Sequence, residues 1–143
     1  MNRSQNDSLI KLRYTLITVF VILIIFTFSL QSGDDSTNQS SWIVQIVISV
    51  FTFLNIPTTG YPLALLVRKT AHFSEYFVLG LTVPKTEKEL SFPSFHYYLY
   101  LIPVIDESIQ FFTPGRVMSP LDMGIDALGF TCGYYLSKTY FNK

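Results

Sequence analysis

Charged residues interrupt the most apolar parts of this chain. Residues 62–83, 95–112 and 121–137 form long hydrophobic stretches, yet each contains ionisable side chains. A charge at the centre of a bilayer costs about 2.5–3.5 kcal/mol on insertion scales. A membrane protein therefore retains such residues only where they pair with one another, face a wet cavity or have a function.

The composition favours a membrane protein. The 143 residues are 49% hydrophobic and only 14% charged, whereas soluble domains carry about 25% charged residues. Residues 14–30 are apolar apart from a few hydroxyl groups, and their length is close to the ~20 residues that span hydrocarbon. A cleaved signal peptide fits less well, because this apolar core exceeds the usual ~7–15 residues and no small-x-small cleavage site follows.

Three further spans are expected in the hydrophobic stretches named above, and Pro84 is a suitable stop for the first of them. Residues 42–56 are too short to span comfortably and carry polar residues at helical spacing, which is typical of an interfacial or re-entrant helix. We therefore predict an all-α membrane protein: a single domain over residues 1–143, with a bundle of four transmembrane helices plus a short interfacial or re-entrant helix.

The distribution of Lys and Arg predicts the orientation. Basic residues occur before the first span, in the loop after Pro84 and at the C-terminus, whereas residues 31–41 contain none. Four spans with both termini in the cytoplasm satisfy this pattern, so we expect a multi-pass membrane protein. Its polar residues would then fall within ~20 Å of the outer surface, at a rise of ~1.5 Å per residue.

This shared depth predicts one outward-facing polar pocket, capped by the Pro-Gly turn of residues 113–120. Helical spacing supports it, because Arg68, His72 and Glu75 share one face and Asp122 and Asp126 share another. Three cations against five carboxylates favour an ion-pair network with room for a protonated carboxyl, a bound cation or a charged histidine. The candidate pocket residues are Arg68, Lys69, His72, Glu75, Tyr76, Asp106, Glu107, Gln110, Arg116, Ser119, Asp122 and Asp126.

Several other classes of site are absent from the sequence or weakly supported. There is no Walker-type or Rossmann-type glycine loop and no basic patch for nucleic acid. His72 and Glu75 do not form the H-E-x-x-H signature of metalloproteases. The motifs therefore assign no metal and no cofactor, while a metal site from His72, Glu75, Asp106 and Glu107 stays an open alternative.

The order of these motifs resembles the VanZ-like family of small bacterial membrane proteins. The resemblance rests on R-K-x-x-H-F-x-E-Y from Arg68, D-E-x-x-Q from Asp106 and P-G-R-x-x-S-x-x-D from Pro114, and it covers nearly the whole chain. One departure is Asp126, where the family pattern leads us to expect Asn. The resemblance implies a cell-envelope role like that of the accessory protein that lowers sensitivity to teicoplanin, and it implies no reaction.

Three functions remain open at this point. The first is a pocket that binds an amphiphilic antibiotic or a cell-wall precursor, with Arg68, Lys69 and Arg116 holding its anionic group. The second is an intramembrane enzyme that acts on a lipid-linked substrate, with Glu75, Asp106 or Glu107 as acid or base and His72 assisting. The third is a non-catalytic helper of a larger membrane complex. Purely structural ion pairs are the alternative for any single charge.

Overall fold

The computed structural model describes residues 3–57 and 62–141, and there the regular structure is helical. Ser32 starts the second helix because its hydroxyl accepts a hydrogen bond from the backbone N–H of Asp35, and Pro120 occupies the first position of the last helix, where no N–H is needed. The helices are α1 (Arg3–Ser29), α2 (Gly33–Phe53), α3 (Leu63–Leu90), α4 (Phe95–Leu99), α5 (Ile102–Phe112) and α6 (Pro120–Phe141).

The closest helix pair is formed by α3 and α6, and glycines make the approach possible. A Cβ atom added at Gly129 or Gly133 of α6 would collide with the backbone carbonyl of Phe73 or Phe77 on α3. Gly80 of α3 lies equally close to the backbone of α6. Small residues that let two backbones approach in this way are typical of helix packing in membranes.

The buried core lies around this pair and is completed by α1 and α4. Tyr76, Leu79 and Val83 of α3 are fully buried and pack with Phe130 and Tyr134 of α6. Many apolar side chains of α1 and α2 face outward instead, as a lipid-facing surface would. Within the described residues, one segment, Leu12–Ser29, is long and apolar enough to cross a membrane, with a mean hydropathy of 2.1.

The other expected spans do not reach that measure of length and apolarity. Charged residues interrupt α3 and α6, and α5 has only 11 residues. The structure therefore confirms the all-α prediction and one candidate span, and the bundle of four transmembrane helices stays a prediction.

The expected end of the second span at Pro84 is wrong, because α3 continues through Pro84 to Leu90. The two turns beyond the proline are held by contacts with other helices. Glu87 accepts hydrogen bonds from His96 and Tyr134, and Glu89 accepts hydrogen bonds from the backbone N–H groups of Tyr14 and Thr15. These contacts stabilise a helix that the proline alone would have ended.

The expected single helix over residues 95–112 is also wrong, because turns at Tyr100 and Leu101 divide it into α4 and α5. Pro103 explains the division, since it has no N–H to donate to the carbonyl of Leu99. The helix expected at residues 42–56 is longer than predicted and starts at Gly33. Its cap at Ser32 and the acids Asp34 and Asp35 in its first turn favour this earlier start.

Candidate functional site

A cavity of about 400 Å³ lies between the C-terminal end of α1, the helices α2, α3 and α5, and the loop of residues 113–119. The loop closes against α2, where the backbone N–H of Gly33 donates to the carbonyl of Pro114 at 2.9 Å. Gly115 adopts a positive φ of 72° in the turn and packs against Gly33. The polar residues that line the cavity are Ser29, Gln31, Ser36, Thr37, Ser40, Arg68, His72, Glu75, Asp106, Gln110 and Arg116.

Within the described residues, two arginines of this cavity share one amide and form no ion pair with a carboxylate. Arg68 Nη2 lies 3.5 Å from Gln110 Oε1, and Arg116 Nη1 lies 3.3 Å from the same oxygen. Arg68 Nε is buried and has no hydrogen-bond partner among the described residues. The two guanidinium groups therefore bring two positive charges to one wall of the cavity.

Arg116 also holds the end of α1. Its Nε and Nη2 atoms donate to the backbone carbonyls of Gln31 and Phe28, both at 3.3 Å. Burial, and then the nearby charge of Arg68, lower the pKa of Arg116 from its ordinary value. An anion placed between the two guanidinium groups would relieve this repulsion.

Histidine and carboxylate side chains form the polar floor of the cavity. Nδ1 of His72 lies 3.2 Å from Oδ1 of Asp126. The hydroxyl of Ser29 donates to Oδ1 of Asp106, and the amide of Gln110 donates to Oδ2 of Asp106 at 3.3 Å. These contacts join α1, α3, α5 and α6 within one buried cluster.

A second chain of contacts leads from the floor to the start of α6. Glu107 Oε2 accepts a hydrogen bond of 2.7 Å from the backbone N–H of Ser119. The hydroxyl of Ser119 accepts from the N–H of Asp122 at 3.2 Å, which caps α6. Asp122 forms an ion pair with Lys69. Lys69 is therefore occupied by a partner and does not line the cavity.

The structure brings most of the predicted pocket residues together, from α3, α5, α6 and the loop of residues 113–119. Tyr76 is fully buried in the apolar core beneath the cavity. Asp126, which departs from the expected family pattern, supplies the partner of His72.

Sequence reasoning missed two parts of the site. Ser29 contacts Asp106 from the end of α1 and was not among the candidate pocket residues. Ser36, Thr37 and Ser40 line the cavity from α2, in a stretch whose Ser, Thr and Asn content is more typical of a loop than of a helix.

A family model described as VanZ/LLP1 matches residues 14–141 of the chain. This match confirms the resemblance that was drawn from the sequence motifs. It includes the described parts of all six helices from Tyr14 onward and therefore the whole cavity. Comparisons with curated proteins and with solved structures gave no match.

Proposed function

Because the chain belongs to the VanZ/LLP1 family, we propose that it contributes to teicoplanin-type glycopeptide resistance or to envelope stress tolerance. In this proposal, the cavity binds the anionic group of an amphiphilic ligand, either a cell-wall precursor or the antibiotic itself. Membership of the family is consistent with a role in antibiotic resistance. The arginines of the cavity are the reason for proposing an anionic ligand.

The observation that carries the proposal is the incomplete hydrogen bonding of the Arg68 guanidinium group. This residue lines an open cavity, contacts Gln110 only at 3.5 Å and has a buried Nε without a partner among the described residues. A guanidinium group offers five donors that match carboxylate and phosphate groups in a bidentate arrangement. An arginine left in this state is better suited to an incoming anion than to a structural pair.

The rest of the cavity suits an amphiphilic ligand with a mixed head group. Arg68 and Arg116 lie on one wall, and Glu75 and three hydroxyl groups of α2 lie around the same space. The first group would hold a phosphate or carboxylate, and the second would hold a cationic or hydroxyl-bearing part. Apolar side chains at the edge, including Ile43 and Leu65, would contact the hydrophobic part.

The test uses Arg68→Lys, which keeps the positive charge and removes the bidentate geometry. We expect a strain that expresses this variant to be as sensitive to teicoplanin as a strain without the protein, with normal membrane abundance. Arg13→Lys is the matched control, because Arg13 is exposed on α1 and remote from the cavity. Full resistance in the Arg68 variant at normal abundance would contradict the proposal.

Native mass spectrometry would identify the ligand class. Protein purified from its own membrane should carry a phosphorylated or carboxylated amphiphile, and the Arg68→Lys variant should carry less of it. An equal amount in both proteins would mean that the ligand sits elsewhere. Arg116 is a poorer probe, because its contacts with Phe28 and Gln31 give it a structural role as well.

We further propose that the protein crosses the membrane several times with both termini in the cytoplasm, so that the cavity faces outward. The charge distribution of the loops supports this. In a Cys132→Ser background, an impermeant maleimide should label Asp34→Cys in intact cells and Lys88→Cys only after lysis, since both positions are exposed. Labelling of Lys88→Cys in intact cells would place the cavity on the inner side.

An intramembrane enzyme is the second candidate, and one observation favours it. His72 lines the cavity while its Nδ1 lies against the buried Asp126, an arrangement that orients a general base. Turnover of a lipid-linked substrate by purified protein, lost in His72→Gln, would favour catalysis over binding. A ligand that binds tightly and is released without chemical change would favour binding.

A further inference from the structure

A compact set of metal-ligating groups from three helices lies at the cavity, and two of its members, His72 and Asp106, line it. His72 of α3, Asp106 and Glu107 of α5, and Asp126 of α6 each offer one donor atom, and these atoms all lie within 4.8 Å of one another. Glu107 and Asp126 are 0% exposed, Asp106 is 2% exposed and His72 is 7% exposed. Carboxylates gathered at this depth repel one another unless a cation or protons separate them.

Two of the carboxylates have a buried oxygen that accepts no hydrogen bond from the part of the chain that the structure describes. Glu107 uses Oε2 to accept from Ser119, and its buried Oε1 has no partner within the described residues. Asp126 uses Oδ1 for His72, and its buried Oδ2 likewise has no partner there. A buried polar atom without a hydrogen bond costs about 1–3 kcal/mol, so these two oxygens point to a ligand.

The charge balance indicates a divalent cation. Among the polar residues around the cavity, five carboxylates face three cations, and Lys69 already pairs with Asp122. The two arginines share the neutral Gln110 and so do not pair with the acids through the contacts described. The cluster itself brings three carboxylates together with one histidine, and a charge of +2 would offset most of that negative charge.

We propose that His72, Asp106, Glu107 and Asp126 form a binding site for a divalent cation of the Zn²⁺ or Mn²⁺ type. One imidazole with three carboxylates suits these ions better than Mg²⁺, which prefers oxygen ligands and retains water. Three neighbouring groups hold the ligands in place, namely the hydroxyl of Ser29, the amide of Gln110 and the backbone N–H of Ser119. Hydrogen bonds of this kind orient ligands at metal sites. The site does not depend on the ligand proposed for the cavity.

The experiment titrates Zn²⁺ or Mn²⁺ into the full chain in detergent after treatment with a chelator, by calorimetry and by measurement of metal content. We expect one ion per chain in the wild type. Glu107→Gln and Asp126→Asn should each weaken binding by at least about 100-fold, the upper end of what the loss of a supporting group costs at metal sites. Glu75→Gln is the matched control, because Glu75 lines the same cavity on α3 but lies outside the cluster.

The readouts also separate loss of the site from loss of the fold. Size-exclusion chromatography and circular dichroism should show each variant folded, and either of the two ligand variants suffices if the other does not fold. Co²⁺ bound to the wild type should give a visible absorption spectrum that changes in His72→Gln. Metal content near zero in the wild type, retained affinity in both ligand variants, or an equal loss in Glu75→Gln would overturn the proposal.

Discussion

The two ends of α3 carry histidine–carboxylate clusters that differ in how completely their hydrogen bonds are satisfied. The pocket cluster consists of His72, Asp106, Glu107 and Asp126. Its His72 lies 3.2 Å from Asp126 beside an open cavity, and buried oxygens of Asp126 and Glu107 have no partner in the described parts of the chain. At the opposite end, Glu87 accepts from the backbone and the ring of His96, at 3.1 and 2.6 Å, and from the hydroxyl of Tyr134 at 3.0 Å.

The second cluster is closed by packing as well as by hydrogen bonds. The ring of His96 stacks on Tyr134 with 4.5 Å between the ring centroids, and Lys138 covers Tyr134 from the end of α6. Buried polar groups that are fully satisfied make a structure rigid, whereas partly satisfied groups are costly and need another reason to persist. The comparison therefore assigns the Glu87 cluster to the fold, and the unsatisfied oxygens of the pocket cluster agree with the cation site proposed above.

The largest effect that tests this comparison is expected for Glu87→Ala. The change leaves three donors from His96 and Tyr134 without their acceptor, and removal of one partner from a buried pair costs about 3–5 kcal/mol. We expect the free energy of unfolding in mild detergent to fall by about that amount, and membrane abundance to fall with it. Glu75→Ala is the control, and a similar loss in both variants would remove the distinction between the two ends.

The next largest expected effect is a gain in the free energy of unfolding. In metal-free protein, Glu107→Gln should raise the free energy of unfolding by about 1–3 kcal/mol, because it removes a buried charge and the amide can donate to a neighbouring carboxylate. The remaining amide oxygen can still accept from Ser119. Thermal unfolding after chelation checks this, with the exposed Asp34→Asn as the control. Destabilisation by Glu107→Gln would show that the pocket cluster is structural like its counterpart.

The sequence predicted the pocket cluster better than the Glu87 cluster, because the pocket residues follow a local helical spacing. Spacing of i, i+4 and i+7 placed Arg68, His72 and Glu75 on one face, and the loop charges placed three helices at one depth. The Glu87 cluster could not be found in this way. The expected stop at Pro84 assigned Glu87 to a loop, and its contacts with His96 and Tyr134 depend on packing between helices that local patterns do not encode.

The errors in the fold have the same origin. Pro84 and the polar start of α2 follow local rules that would end or prevent a helix. Tertiary contacts override the first rule through Glu87 and Glu89, and the capping of α2 at Ser32 overrides the second. Only at Pro103 did a proline interrupt a helix that the sequence pattern had treated as continuous.

The smallest expected effect is that of Ser29→Ala, which removes the link from α1 to Asp106. Hydrogen bonds between membrane helices contribute about 1 kcal/mol, so we expect the free energy of unfolding to fall by no more than that. Affinity for Zn²⁺ or Mn²⁺ should fall by about 10–100-fold, because Asp106 loses a group that orients it. Thr27→Ala is the control, since the Thr27 hydroxyl donates to the carbonyl of Leu23 on its own helix. A Ser29 variant with lower stability but unchanged metal affinity would mean that this contact stabilises the fold alone. Ser29 would then not belong to the group of residues that distinguishes the pocket cluster from the Glu87 cluster.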